Sequence, residues 1–380
     1  MVSALGFGCM RLPTSDGKPM SRKIDIEKSS RMLRSAIDLG VNYLDTAYGY
    51  HGGASERFLG KFLDEGFRDQ VKVATKSPVW LINGPKDFDA HLKEQLRRLR
   101  TDHIDFYLFH ALNGKVWKDK VLKHRLLERA EAAVDDGRIG HLGFSFHDDL
   151  RAFKTIIDGY DGWSFCQIQY NYMDTDNQAG TKGLRYAHSK GLAVVVMEPL
   201  LGGRLANPPK AIRSIIKGDS RATSPADLAL RWIWNQPEVS VVLSGMGTLR
   251  QVKGNLESAD NSRIGSLKRC ESKLIERIKK AYEGLVPIPC TKCGYCMPCP
   301  HGVDIPRNFE NLNNGVMHDD LKGARAEYVR FIKKKEKAGA CVQCRKCEKK
   351  CPQGIPISRW MPEIHAILGE GKRYAGLPAA

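Results

Sequence analysis

The stretch "VNYLDTAYGY", Val41 to Tyr50, decides how this 380-residue chain is read. It opens as an apolar run suited to a strand buried on both faces and breaks off at an aspartate, with Tyr48 and Tyr50 close behind. The next segment, "SERFLGKFLDEG", has helical spacing and closes on glycine. A strand that delivers polar residues at its C-terminal end and passes straight into a helix is the building unit of a parallel α/β fold.

The unit recurs along the chain. "SALGFG", "VKVATK", "IDFYLFH", "HLGFSF", "FCQIQYN", "AVVVMEPL" and "VSVVLSG" are further runs rich in branched and aromatic residues. Between them lie the amphipathic segments "EKSSRMLRSAIDLG", "FDAHLKEQLRRLR", "LLERAEAAVDDG", "TKGLRYAHSKG" and "SPADLALRWIWNQ", several opening on Ser or Asp. Eight strands at this spacing fit a (β/α)8 TIM barrel better than an open sheet, and a barrel places its chemistry at the C-terminal ends of the strands. Residues 263–284 read as one more helix against the barrel. The Pro-containing "LVPIP" then marks a boundary, so the barrel is assigned to 1–284. The segment 285–366 has little strand pattern and one evident helix, "LKGARAEYVRFIKKKEKA"; 367–380 reads as a loose tail.

Composition sets the outer limits. Apolar residues at 42% and charged residues at 27% suit a globular protein. No apolar run approaches the ~20 residues that cross a bilayer. The N-terminus lacks the basic and small-residue features of a signal peptide, so a cytoplasmic protein with no membrane partner is expected. The formal charge of +17 suits an anionic cofactor or an acidic redox protein. No aromatic-and-basic motif points to nucleic acid. Three of the eleven cysteines, Cys9, Cys166 and Cys270, stand alone and read as small apolar residues.

On a barrel rim, Asp45 and Tyr50 follow one strand, Lys76 ends the next and His110 the one after, so four polar side chains converge. A free phenol near pKa 10 is a poor proton donor at neutrality. An adjacent Lys76 ammonium would lower that value, Asp45 would hold the ammonium, and His110 would hydrogen-bond the oxygen that receives the proton.

These residues carry a resemblance to the aldo/keto reductase superfamily over roughly residues 2–284: "DTAYGY" spaces aspartate and tyrosine as that family does, and "VATK" and "FYLFH" match its lysine and histidine motifs. The resemblance implies a catalytic tetrad of Asp45, Tyr50, Lys76 and His110, with Tyr50 as general acid. It implies reduction of a small aldehyde or ketone, or the reverse alcohol oxidation, with NADP or NAD. It also places Ser145 of "GFSFH" and Gln167 of "CQIQYN" at the nicotinamide amide, with Met197 where an aromatic side chain usually stacks. In "SGMGTLRQVKGN", Gly245, Met246, Gly247, Thr248, Gln251 and Asn255 match the loop and helix start that hold the adenosine phosphate. Basic residues common in relatives are missing at Gly245 and Gln251, although Arg250 or Lys253 could substitute; the N-terminal hairpin that usually plugs the barrel floor is also missing. Trp80, just past Lys76, is a candidate for the pocket wall.

The remaining eight cysteines form two runs, "CTKCGYCMPCP" from Cys290 and "CVQCRKCEKKCP" from Cys341. "CPHGVDIPR" after the first matches "CPQGIPISR" after the second, an internal repeat. Clustered thiols in such a chain read as metal ligands, either a structural zinc pair or iron–sulfur centres. Two triplets, each with a further Cys-Pro, match the spacing of two-cluster ferredoxins, in which the fourth ligand comes from the other run. On that pattern Cys290, Cys293, Cys296 and Cys351 hold one [4Fe-4S] cluster, and Cys341, Cys344, Cys347 and Cys299 the other. The long insert resembles the helical ferredoxin domains of respiratory iron–sulfur subunits, and the whole chain resembles ferredoxin-type aldo/keto reductases. Three functions are compatible with these features. In the first, a nicotinamide-dependent reductase exchanges electrons with its clusters, with or without FMN. In the second, the reductase works alone and the clusters are structural or redox-sensing. In the third, the chain is an electron-transfer adaptor with a vestigial barrel.

Overall fold

The computed structural model describes residues 1–218 and 224–375; the end of the expected tail, 376–380, lies outside them. The chain forms two compact units, Met1–Leu205 with Ala226–Glu271, and Ala206–Pro225 with Ser272–Ala380.

The first unit is built on a closed barrel of eight parallel strands in sequential order. They are β1 (Leu5–Gly8), β2 (Tyr43–Asp45), β3 (Lys72–Ser77), β4 (Ile104–Leu112), β5 (Ile139–Phe146), β6 (Phe165–Gln169), β7 (Ala193–Met197) and β8 (Val239–Ser244). The helices α1 (Ile26–Asp38), α2 (Ala54–Phe62), α3 (Pro85–Leu99), α4 (Leu126–Asp135), α5 (Leu150–Asp158) and α6 (Gly180–Ser189) alternate with them; α7 (Lys210–Lys217), between β7 and β8 in sequence, belongs to the second unit, and α8 (Pro225–Trp234) and α9 (Leu249–Asp260) flank β8 in the chain. Between strands and helices a continuous core of Phe7, Leu44, Val73, Phe109, Phe144, Ile168, Val194 and Val242 is buried. This explains why the strands read as unbroken apolar runs rather than alternating ones.

Inside the barrel, near the strands' N-terminal ends, Tyr43, Leu108, Phe165, Val195, Val241 and Leu243 form a second cluster with Val2 and Phe106 against it. Phe106 is the hub: its ring lies 5.2 Å from Tyr43, 5.3 Å from Phe165 and 5.1 Å from His141. Two glycines make the room, since a Cβ on Gly6 would fall 2.6 Å from Leu243 and one on Gly143 would fall 2.6 Å from Phe165. Side chains from the strands therefore pack this end of the barrel in the described chain.

Several helix limits differ from the sequence reading. Helix α3 starts at Pro85 rather than Phe88, because the Asp87 carboxylate accepts from the Asn83 and Gly84 amides and Pro fits the first turn. Helix α5 was not anticipated, although Asp149 caps it by accepting from the Ala152 amide. The helix expected from residue 263 begins later, as α10 (Arg269–Glu283).

The second unit also contains α11 (Ile305–Met317), α12 (Leu321–Phe331) and α13 (Ile357–Leu368) around a core of Phe309, Leu312, Tyr328, Trp360, Met361 and Ile364. Helix α12 ends at Phe331, short of the expected Ala338. Asn308 holds the following segment in another course: its amide donates to the Glu336 carbonyl at 2.8 Å and accepts from the Ala338 amide at 2.8 Å. The sequence repeat persists in the backbone. Lys292 and Gln343, the residues before the second cysteine of each run, both have positive φ, as do Gly294 and Arg345 just after it, and Gly302 and Gly354 further on. Helices α11 and α13 then start at the matching Ile305 and Ile357. Among the described residues no helix is long and apolar enough to cross a membrane.

Candidate active site and cysteine centres

Parallel pairing sets the rim. Asp45 closes β2 beside Ala74, Lys76 sits beside Leu108, and His110 lies two residues beyond. After β2 the chain turns through left-handed His51, Gly52 and Gly53 before entering α2. Glycine at two of these three positions relieves most of the strain of that turn. The turn leaves Tyr50 over Lys76.

Lys76 is 1% exposed. Its Nζ donates to Asp45 Oδ1 and Oδ2 at 2.7 Å each, to the Thr46 carbonyl at 2.8 Å and to the Tyr50 hydroxyl at 3.4 Å. Burial works against the ammonium, but Asp45 and Tyr50 outweigh it and raise the lysine pKa, so the charge is held. The Tyr50 and His110 rings are 6.1 Å apart, edge to face, and Trp80 lies 5.1 Å from His110. The structure thus brings all four tetrad residues together, and puts half-exposed Trp80 beside them.

One electrostatic expectation is corrected. Burial pushes the Tyr50 phenol up more than Lys76 pulls it down, so its pKa is raised, not lowered. The His110 imidazole is pushed down to about 3 by burial, then by Lys76 and His147, and is neutral at ordinary pH. Its Nδ1 is buried without a hydrogen-bond partner.

The residues aligned with the nicotinamide lie on adjacent strands, Ser145 facing Gln167 across β5 and β6. Ser145 Oγ accepts from the Ala111 amide at 2.8 Å, which fixes the left-handed residue after His110 and leaves the hydroxyl hydrogen to donate elsewhere. Gln167 Nε2 donates to Met197 Sδ at 3.4 Å, while Gln167 Oε1 is buried with no partner. An orphaned acceptor flanked by a free hydroxyl donor fits the two ends of a carboxamide.

The loop after β8 is more self-contained. Gln251 Oε1 accepts from the Gly247 amide at 2.7 Å, and the Gln251 amide donates to Thr248 Oγ1 at 3.2 Å. Asn255 Nδ2 donates to Ser244 Oγ at 2.9 Å, and the Met246 side chain is in the core. Gly245, Gly247, Thr248 and Gln251 stay at the surface of this turn, as do Arg250 and Lys253. Met246 can offer a ligand only its backbone.

In the second unit the two runs mix. Burial raises the Cys290 thiol, the Lys292 amide lowers it, and the nearby Cys293 and Cys351 thiols raise it further. Cys296 likewise feels Cys290, Cys293 and Cys351 after burial and its own backbone. Cys341 feels Cys299 and Cys344 after burial and the Gln343 amide. Cys351 therefore lies within electrostatic reach of Cys290 and Cys296, and Cys299 within reach of Cys341. Left-handed residues stand between the thiols, and the Gln343 amide donates to Cys341 Sγ at 3.4 Å; backbone of this kind can offer amides to an anion. Non-glycine residues there cost on the order of 1–3 kcal/mol each, which a bound anionic centre can offset. Cys290, Cys296, Cys299, Cys341, Cys347 and Cys351 are partly buried against the helical core, and Cys293 and Cys344 are exposed.

The sequence reading missed a polar network beneath the rim, formed by Glu56, Thr75, Gln95 and Arg98. Its signal was faint: Glu56 lies between Ser55 and Phe58 on the buried stripe of α2, where a solvated helix would have an apolar residue.

A closed parallel barrel with a lysine-linked phenol and a neutral imidazole at its C-terminal rim has its polar groups where (β/α)8 enzymes carry their active sites. The aldo/keto reductase family profile matches residues 4–273, most of the chain, so the chain belongs to the aldo/keto reductase family. A 4Fe-4S dicluster domain profile matches residues 289–355. The uncharacterized oxidoreductase YrpG of Bacillus subtilis is 26% identical over 282 residues, 63% of this chain and 84% of the relative. An uncharacterized oxidoreductase of Schizosaccharomyces pombe is 28% identical over 267 residues, 68% and 82% of the two. The holo form of an aldo-keto reductase from Bacillus halodurans superimposes with TM-score 0.59 at 26% identity, covering 73% of this chain and 92% of that one. An aldo-keto reductase from Klebsiella pneumoniae, solved with NADPH, gives TM-score 0.60 at 24% identity, covering 73% and 91%, a likeness of fold. The protein is an NAD(P)-dependent oxidoreductase with a 4Fe-4S-type domain.

Proposed function

We propose that the barrel, taken as residues 1–284, reduces a small aldehyde or ketone with NADPH or NADH, or oxidises the alcohol, and that residues 285–366 hold two [4Fe-4S] clusters that exchange electrons with it. The observation that carries the reading is the single ammonium, Lys76 Nζ, bridging Asp45 and the Tyr50 hydroxyl beside a neutral His110.

The dihydronicotinamide when bound supplies a hydride, and the clusters supply single electrons. Tyr50 gives its proton to the substrate oxygen. Lys76 stabilises the resulting phenolate at 3.4 Å, and Asp45 keeps Lys76 charged. Neutral His110 orients the substrate oxygen by a hydrogen bond. Gln167 Oε1 accepts from the carboxamide of the cofactor and Ser145 donates to it, with Met197 as a soft wall. Gly245, Met246, Gly247 and Thr248 offer backbone to the adenosine phosphates, Gln251 and Asn255 shape that turn, and Arg250 or Lys253 decides between NADP and NAD.

Cys290, Cys293, Cys296 and Cys351 would hold one cluster and Cys341, Cys344, Cys347 and Cys299 the other. Arg345, Lys346, Lys349 and Lys350 are exposed around the second run, which suits an acidic redox protein as partner. Anaerobic reconstitution followed by stopped-flow mixing with NADPH tests the coupling: bleaching of the cluster absorbance is expected. Carbonyl turnover that is indifferent to cluster loss would leave a reductase with structural clusters; absence of turnover and of nucleotide binding would remove the reading altogether.

A further inference from the structure

We propose that Glu56 is a positioning residue for catalysis: its buried carboxylate ties together the three segments that carry Tyr50, Lys76 and His110 and so sets their spacing. The inference rests on the tetrad reading and adds a group that touches neither substrate nor cofactor.

Glu56 is 0% exposed, in the first turn of α2. A carboxylate so placed is tolerated only if its oxygens are filled by donors. The donors are three: Thr75 Oγ1 at 2.7 Å and Gln95 Nε2 at 2.7 Å to Oε1, and Arg98 Nη1 at 3.1 Å to Oε2. Each leads to a reacting group. Thr75 immediately precedes Lys76. Gln95 Nε2 also donates to the Lys76 carbonyl at 3.1 Å, and Gln95 Oε1 accepts from Tyr107 on β4, three residues before His110, at 2.7 Å. Arg98 Nη1 also donates to the Tyr48 carbonyl at 3.3 Å, and its guanidinium lies 4.1 Å from the centre of the Tyr48 ring, two residues before Tyr50.

The neighbouring residue extends the same arrangement. Ser55 Oγ lies 2.8 Å from Thr46 Oγ1 and donates to the Cys9 carbonyl at 3.3 Å. Thr46 is the residue whose carbonyl accepts from Lys76 Nζ. The first turn of α2, which directly follows the Tyr50 turn, is therefore bonded to both ends of the Lys76 side chain's surroundings. The donors come from β3 and α3, and Gln95 and Arg98 each make a further bond to a segment that carries a reacting group: Gln95 to the Lys76 carbonyl and Tyr107, Arg98 to the Tyr48 carbonyl. Proton transfer is sensitive to this, because about 1 Å of misplacement can lower a rate roughly 100-fold.

The test uses the full chain and the variants Glu56→Gln, Thr75→Val and Tyr107→Phe, with Tyr50→Phe as control. Reduction of an aromatic aldehyde by NADPH gives kcat and the pH profile of kcat/KM. Nucleotide affinity comes from fluorescence, and the folded fraction from urea titration. Glu56→Gln keeps the shape but sets an amide NH2 against Arg98, releasing the Tyr48 arm. Its kcat per folded molecule is expected to fall about 10- to 100-fold with a displaced alkaline limb and unchanged nucleotide affinity. Thr75→Val and Tyr107→Phe should show smaller falls in the same direction, and they carry the test if Glu56→Gln does not fold. An unmoved alkaline limb, or losses that track only the unfolded fraction, would overturn the positioning role while an inactive Tyr50→Phe left the tetrad standing. A fully active Tyr50→Phe would overturn both.

Discussion

At the barrel rim, Lys76 is all but sealed from solvent, and four protein oxygens surround its ammonium. In the second unit, Cys293 and Cys344 are exposed, six more thiols are half-buried, and the backbone beside them holds left-handed lysine, glutamine and arginine. In the first site the buried ammonium is satisfied by protein groups alone. The second keeps left-handed backbone and clustered thiols, whose ionised forms would repel one another, that make sense around a centre the chain does not itself supply. The two regions should accordingly respond in opposite ways to losing what they bind.

The sharpest break is a ligand substitution. Cys351→Ser is expected to remove the same cluster as Cys290→Ser, leaving one set of electron paramagnetic resonance signals, about half the iron and a weakened helical core in the second unit. Cys299→Ser should match Cys344→Ser instead. Nucleotide binding by the barrel should be untouched in all four. If Cys351→Ser proved indistinguishable from Cys344→Ser, the crossed assignment would be wrong.

At the rim the corresponding test is Tyr50→Phe. Removing the general acid should lower kcat by about 10²- to 10⁴-fold with the fold and nucleotide affinity preserved. Lys76→Met comes next, because it strands Asp45 in the core. A loss of about 3–5 kcal/mol in urea unfolding is expected, partly recovered in Asp45→Asn/Lys76→Met. A neutral result would mean that the pair is far more solvated than its burial implies.

How legible these two regions were also differs. The barrel announced itself because each strand is an apolar run buried on both faces, and because Asp45, Lys76 and His110 sit where such runs end. The cysteine runs were legible as a cluster-binding domain because a fixed thiol interval is a local property, and a 4Fe-4S dicluster profile matches residues 289–355. What escaped is of another kind. Helix α5 and the early start of α3 depend on side-chain caps at Asp149 and Asp87 that a periodicity count overlooks. The end of α12 depends on Asn308, twenty-three residues away in sequence. Glu56 drew no notice in the sequence because its three donors come from β3 and α3, distant along the chain. The direction of the Tyr50 shift was misjudged because burial cannot be weighed against one ammonium without coordinates.

The raised Tyr50 pKa has a measurable consequence. Reduction needs the phenol protonated, so activity is present below the Tyr50 pKa and lost as pH rises through it. With that pKa raised from the ordinary phenol range, kcat/KM for reduction should stay level through neutrality and bend down only in alkali. His110 adds no limb near neutrality, since its imidazole stays neutral above about 3. A downward limb near pH 8 would show that Lys76 prevails over burial after all.

The smallest effect is also the most discriminating between a rim that is finished and one that awaits its cofactor. Gln167 Oε1 is buried without a partner, a condition that costs stability in the free barrel and is relieved only when a donor arrives. Gln167→Leu removes the orphan at nearly the same volume. The nucleotide-free protein should therefore unfold at a slightly higher urea concentration than the parent. Nucleotide affinity should fall, by about 0.5–1.5 kcal/mol for one hydrogen bond, or roughly 2- to 12-fold in Kd. Changes of opposite sign would identify the acceptor as kept for the carboxamide. Equal losses of stability and affinity would make Gln167 a packing residue whose contact with Met197 Sδ at 3.4 Å is its main role.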